Sequence, residues 1–221
     1  MKEAETMITL KSPFHQVEDI QGEFYGGNQR WFPYGFLRGT GCGVIAATDL
    51  IFHLRGREYI SRVEYMDFAK ELWKKYLPVI PGFGMNGLTL MLGLNGYFAF
   101  HKMPYRAAWM LSGKKMISRI EKMLSLDIPV IMAIGPNFPL FWKKEKLSFY
   151  TKDGNGKLCP AVKTKAHFVT VTGISESELQ ISSWGKKYYI SIQEYEKYVR
   201  EHSSPLVSNI IYVVKYNKRR H

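Results

Sequence analysis

Residues 166–192 read AHFVTVTGISESELQISSWGKKYYISI. Three segments within it, 166–174 (AHFVTVTGI), 178–183 (ELQISS) and 186–192 (KKYYISI), are rich in β-branched and aromatic residues. Such side chains suit the pleated surface of a sheet, so each segment is expected to be a strand. Two more strands flank them. IPVIMAI at 128–134 is a short bounded apolar run typical of a buried strand, and SNIIYVVKY covers 208–216. Between the last two strands, Ser191 and Glu194 form an S-x-x-E capping box in which each side chain satisfies an orphan amide. That places a helix over 192–200.

Upstream the period becomes helical. Residues 43–54 (GVIAATDLIFHL) put Val44, Ala47, Ile51 and Leu54 on one face. Ser61 and Glu64 form a second capping box that opens a helix over 61–77, and Pro78 stops it by excluding the helical conformation at the preceding residue. A helix or two is expected in 86–100 and another over 112–125, while residues 1–40 are turn-rich, with GG at 26–27 and WFPYGF at 31–36. Helices precede strands with no βαβ alternation, which argues for an α+β fold with an antiparallel sheet. No repeat or boundary divides the chain. One domain is expected over 1–221, helical over about 40–125 and sheet-forming over about 126–216.

The 221 residues are 46% hydrophobic, 14% aromatic and 23% charged, which excludes disorder, collagen and coiled coil. Cys42 and Cys159 are too few for a disulfide framework and lack metal-ligand spacing, so a reduced compartment is the simpler expectation. The opening MKEAETMITLKSPF has no apolar core before a cleavage site, and the apolar runs at 86–100 and 128–134 are too short to span a bilayer. A soluble cytoplasmic protein without a membrane span is expected. The net charge of +12 is uneven: residues 1–71 hold 8 Lys/Arg and 10 Asp/Glu (−2), and 72–221 hold 23 and 9 (+14). The surplus collects in KKEK (143–146), in Lys152, Lys157, Lys163 and Lys165, and in the terminal KRRH. It suits an acidic peptide, nucleic acid or an anionic surface, although a solvated lysine-rich loop and a frayed tail explain it more simply. No helix-turn-helix, zinc-finger or RNP pattern accompanies it, which leaves nucleic acid the lesser alternative.

Cys42 lies in GTGCGVIAATDL, between glycines at an expected helix start. Helix amides and the macrodipole favour a thiolate there, and the glycines leave space for a substrate. This makes Cys42 a candidate nucleophile; the alternative is a small buried cysteine. A candidate base follows at His167, which opens the strand HFVTVTG, and SSWG ends the next strand at 182–185.

GCG with its apolar helix at 41–54, HFVTVTG at 167–173 and SSWG at 182–185 together resemble the papain-like cysteine peptidases. They look most like the bacterial branch related to bacteriocin-leader-processing, double-glycine peptidases. The match spans about residues 24–215, with three specific segments. The resemblance implies a papain-like fold, with the cysteine on a helix of one lobe and the histidine on the sheet of the other. It implies that Cys42 attacks a carbonyl carbon of a peptide or protein substrate, with His167 as base and then acid. It places Ser182 where the family has Asn or Asp; a hydroxyl can accept the imidazole hydrogen bond but brings no charge. Ser183 is the neighbouring alternative. Gln29 is the candidate oxyanion donor, Gly41 and Gly43 would border the substrate, and Trp184 would cover the histidine. No metal or other cofactor is called for.

Other readings stay open at this point: a papain-fold peptide-binding module without turnover, a basic interaction protein, and acyl transfer by the same pair. Cys159 is expected to be an incidental thiol in a lysine-rich loop, and His53 a packing or capping residue. His15, His101, His202 and His221 show no partner spacing, and no paired-His pattern suggests zinc. Met103, Met110, Met116, Met123 and Met132 are expected to fill the core. The glycine-rich 82–87 loop lacks the lysine of a phosphate-binding loop.

Overall fold

The computed structural model describes residues 6–216, so the basic KRRH run with His221 lies outside the described residues. In chain order these form β1 (Ile8–Thr9), β2 (Gln16–Asp19), β3 (Gly22–Tyr25), a 3-10 turn at Gln29–Trp31, α1 (Gly35–Thr40), α2 (Cys42–Leu54), β4 (Tyr59–Ser61), α3 (Arg62–Lys75) and α4 (Gly87–Phe100). There follow β5 (Tyr105–Leu111), α5 (Lys114–Ser125), β6 (Val130–Ile134), β7 (Leu147–Lys152), β8 (Leu158–Thr164), β9 (His167–Ile174), β10 (Glu178–Ser183), β11 (Lys186–Ser191), α6 (Ile192–His202) and β12 (Asn209–Lys215).

The main sheet has nine strands, ordered β5-β12-β6-β9-β10-β11-β7-β8, with β1 also paired to β9; every pairing in it is antiparallel. A small second sheet, β3-β2-β4, lies near the start of the chain. Both capping boxes form: the Ser61 hydroxyl accepts from the Glu64 amide at 3.2 Å, and that of Ser191 from the Glu194 amide at 3.3 Å. The expected α+β architecture with an antiparallel sheet is the one observed.

Several elements depart from the sequence expectation: the turn-rich 1–40 holds the short strands β1, β2 and β3 and the helix α1. β5 lies inside the part expected to be helical and pairs along its whole length with β12, so the helical and sheet segments interleave. The lysine-rich segment around Cys159, expected to be a loop, is the β7–β8 hairpin. β8 ends the sheet order, and an edge strand tolerates Pro160 and outward lysines that would be excluded from a central strand.

The centre is more buried than periodicity alone suggests. In α2 every residue from Cys42 to His53 is buried, because α3, β6 and β9 all pack around it. An apolar helix without a strongly polar face is the sequence form of that environment. All eight residues of β9 are buried as well; since alternate side chains point to opposite faces, the strand is covered on both sides. α2 and α5 both pack against it.

Into the centre of this core the fold places the carboxylate of Asp49, on α2. Its Oδ1 accepts from His15 Nε2 (3.0 Å), the Gly27 amide (3.0 Å) and the Tyr65 hydroxyl (2.6 Å). Its Oδ2 faces the hydroxyls of Ser182 (3.3 Å) and Thr170 (3.4 Å). The glycine pair 26–27 is needed here. A Cβ at Gly26 would run into the Ser182 hydroxyl, and one at Gly27 into that of Tyr65. Asp49→Ala should cost about 3–5 kcal/mol in urea unfolding, as expected when one partner of a buried charged network is removed. Asp49→Asn, which keeps the shape and one acceptor, should cost less. A loss within about 1 kcal/mol for the alanine variant would show that the network is not a stability determinant.

Candidate active site

Cys42 is the first residue of α2, capped only by the backbone of Gly41. His167 is the first residue of β9, in register with Ile134 at the end of β6. Helix start and strand start meet at one small cavity of about 10 Å³, which both residues line together with Gln29, Asp49, Ser182, Ser183 and Trp184. No direct hydrogen bond joins the Cys42 sulfur to the His167 ring among the described residues. The sulfur lies beside the backbone of Phe168, the residue after the histidine.

The ring is fixed on two sides. His167 Nε2 is 2.8 Å from Ser183 Oγ, and the Trp184 ring stacks on the imidazole at 4.4 Å between centroids and 15° between planes. Trp184 reaches this position through a left-handed turn (φ 50°) continued by Gly185 (φ 73°). The turn is tied down by Asn28 Nδ2 donating to the Trp184 carbonyl at 3.1 Å.

Burial disfavours charge on both candidate reactive groups. Burial pushes the Cys42 thiol above its usual range, against backbone amides of Phe168, Gly43 and Cys42 that favour the thiolate. Burial pushes the His167 imidazole down to about 3. Desolvation thus works against a thiolate–imidazolium pair here.

The sequence candidates divide as follows. Gln29 reaches the cavity, with its side-chain amide donating to the Arg38 carbonyl at 2.8 Å. Ser182 is not the hydroxyl that meets the imidazole. It donates to the Tyr25 carbonyl at 2.9 Å and faces Asp49, leaving Ser183 to engage the ring. Adjacent residues of a strand diverge, so a shift of one position changes which group is met. The space beside Gly41 and Gly43 is taken by the protein itself: a Cβ at Gly41 would be 2.6 Å from the Leu37 carbonyl oxygen, and one at Gly43 would be 3.0 Å from Met85 Sδ. These glycines serve packing at the start of α2.

Other candidates find ordinary roles. His15, for which no partner was evident in sequence, is held by Asp49. His53 Nε2 lies 3.1 Å from the Asp127 carbonyl oxygen, and burial holds its pKa below the usual value despite the nearby carboxylate. Cys159 is half-buried on β8. Met116, Met123 and Met132 are buried in the core, with Met103 and Met110 packed against it. Among the described residues no group of three or more His, Cys, Asp or Glu is arranged to hold a metal ion. No described helix is long and apolar enough to cross a membrane.

Asp49 and Ser183 are the site residues that sequence reasoning passed over or ranked second. A signal for Asp49 was present: it is the lone charge in GVIAATDLIFHL, seven positions after Cys42 and therefore on the same helical face.

No protein-family model matches the chain, and no curated protein matches it significantly. Among solved structures, the crystal structure of a putative C39-like peptidase from Bacillus anthracis is similar over 97% of this chain and 100% of its own, with a TM-score of 0.52 and 16% sequence identity. At that identity the likeness is one of fold, and the narrower likeness to leader-processing peptidases has no sequence-level match behind it. The chain has the α+β fold of papain-like, C39-type peptidases.

Proposed function

We propose that the chain is a cysteine peptidase that cleaves a peptide or isopeptide bond, with Cys42 as nucleophile and His167 as base and then acid. The observation that carries this reading is the meeting of a helix-start cysteine and a strand-start histidine at one cavity, the histidine ring being held by Ser183 and Trp184.

With charge disfavoured on both groups, the reaction would start from a thiol and a neutral imidazole. His167 Nε2 is engaged by Ser183 and, as an N–H, donates to that hydroxyl, which leaves Nδ1 to accept a proton. As the sulfur attacks the carbonyl carbon, the thiol proton passes to Nδ1 and an S–C bond forms. The carbonyl oxygen becomes an oxyanion, for which the Cys42 amide and the Gln29 side chain are the proposed donors. Collapse breaks the C–N bond, and the amine leaves with the proton from Nδ1. Water then gives a proton to Nδ1 as its oxygen bonds to the thioester carbon, the C–S bond breaks to release the acid, and the sulfur takes that proton back; an amine in place of water would give acyl transfer. Ser183 supplies orientation without charge, so imidazolium stabilisation is weaker than a carboxylate would give. No lysine or arginine lines the cavity, so any preference for acidic sequence belongs to residues flanking the scissile bond.

Incubation with a proteome-derived peptide library, read by mass spectrometry, should reveal new termini with the wild type and none with Cys42→Ala or His167→Ala. Cleavage that survives both substitutions would refute the assignment. Since the working base is neutral, activity is lost only as pH falls through the folded-state pKa of about 3. The rate at pH 5 should therefore match that at neutral pH. An unperturbed histidine would cause a drop of about thirtyfold at pH 5, and observing that drop would refute the neutral-pair mechanism. Ser183→Ala should lower kcat about tenfold with KM unchanged, the worth of one hydrogen bond in a buried site. Ser182→Ala should instead lower the unfolding midpoint and leave kcat within about twofold. The opposite pattern would return the orienting role to Ser182.

A further inference from the structure

The loop between β6 and β7 leaves the sheet directly beside His167, because Ile134 pairs with that residue and the Gly135 carbonyl accepts from the Ala166 amide at 3.4 Å. It is closed on itself. The buried Asn137 side chain donates to the carbonyls of Glu145 and His202, both at 3.2 Å, and Lys165 Nζ donates to the Lys143 carbonyl at 2.7 Å. This anchored loop turns its apolar side chains outward. Trp142 is 74% exposed and Phe141 61%, with Phe138 edge-on to Phe141 at 5.5 Å. The exposed Lys143, Lys144 and Lys146 follow, outnumbering the exposed Glu145 among them, and none of the ion pairs among the described residues uses these lysines.

We propose that this aromatic–lysine loop docks the protein reversibly on an anionic lipid surface. A loop braced by its own backbone cannot fold its rings inward, so their apolar area stays in water until something covers it. Tryptophan and phenylalanine beside lysines suit the bilayer interface, where rings sit at headgroup level and ammonium groups meet anionic lipid. A peptide occupant is less well matched, because peptide side chains are held in concave pockets. Trp142 and Phe141 are exposed and line neither the Cys42 cavity nor the larger groove of about 480 Å³ between the start of α5 and α6. One loop with a few lysines gives weak, salt-sensitive attachment rather than permanent anchoring. The inference is independent of peptidase activity.

The test is co-sedimentation of the whole chain with phosphatidylcholine vesicles, with and without about one third phosphatidylglycerol. The wild type should pellet with the anionic vesicles at low salt, be released as salt rises, and stay in solution with the neutral ones. The double variant Phe141→Ser/Trp142→Ser should reduce the pelleted fraction about fivefold, and Lys143→Glu/Lys144→Glu should remove the salt-sensitive part. All four residues are exposed, so unfolding midpoints should match the wild type. Phe100→Ser, which changes an equally exposed ring on α4, should pellet normally. Three results would overturn the proposal: failure of the wild type to pellet, normal pelleting of both loop variants, or an equal loss with Phe100→Ser. If a glutamate-rich aromatic peptide binds Cys42→Ala protein through the same loop while vesicles do not, the surface is a peptide dock and the lipid proposal falls.

Discussion

A carboxylate buried in the middle of a protein must be surrounded by donors, and Asp49 imposes that requirement on the whole molecule. Its partners come from the segment before β2, the loop after β3, the helix α3 and the two central strands β9 and β10. Each must arrive at a fixed distance, so the carboxylate sets the rotation of α2 against the sheet. Cys42 lies on that helix, and His167 begins one of the strands being held. The relative placement of the two candidate reactive groups therefore depends on a residue that belongs to neither.

The same burial that demands donors for Asp49 shapes the chemistry at the other end of the helix. A cysteine at a helix start is favoured as thiolate by backbone amides, yet at Cys42 desolvation outweighs them. His167 carries the same penalty with the opposite sign, and Ser183 offers no charge to offset it. A carboxylate does exist within the cavity wall, but it is held by His15, the Gly27 amide and the Tyr65 hydroxyl. The fold thus commits the Asp49 carboxylate to architecture and leaves the histidine with a hydroxyl.

How much was legible in the sequence follows from how locally each feature is determined. The strands β6, β9, β10, β11 and β12 could be read because composition and bounded length mark them directly. The helices α3 and α6 could be read because their capping boxes are local hydrogen bonds. β5 was missed because its identity comes from pairing with β12, about a hundred residues downstream. The β7–β8 hairpin was hidden by lysines that an edge position permits. For the site, residue type and chain order indicated Cys42 and His167, and left the adjacent Ser182 and Ser183 as candidate partners of the imidazole. Which of two adjacent serines faces a ring is decided by strand register and by competition from Asp49, and neither is visible in a string of residues.

The wiring of Asp49 also bears on the order of assembly. His15 is 34 positions from it, whereas Ser182 is 133 positions away on the other side. Such long-range closure comes late in folding, after the local helices and hairpins, because the loop entropy must be met before the contact is gained. During synthesis the helix bearing Cys42 emerges well before the strands that supply Thr170, Ser182 and His167. A nascent or truncated chain thus carries the thiol without its histidine, and the reactive arrangement arises only when the central sheet closes over the carboxylate. The cysteine and the histidine therefore come together only as the fold completes.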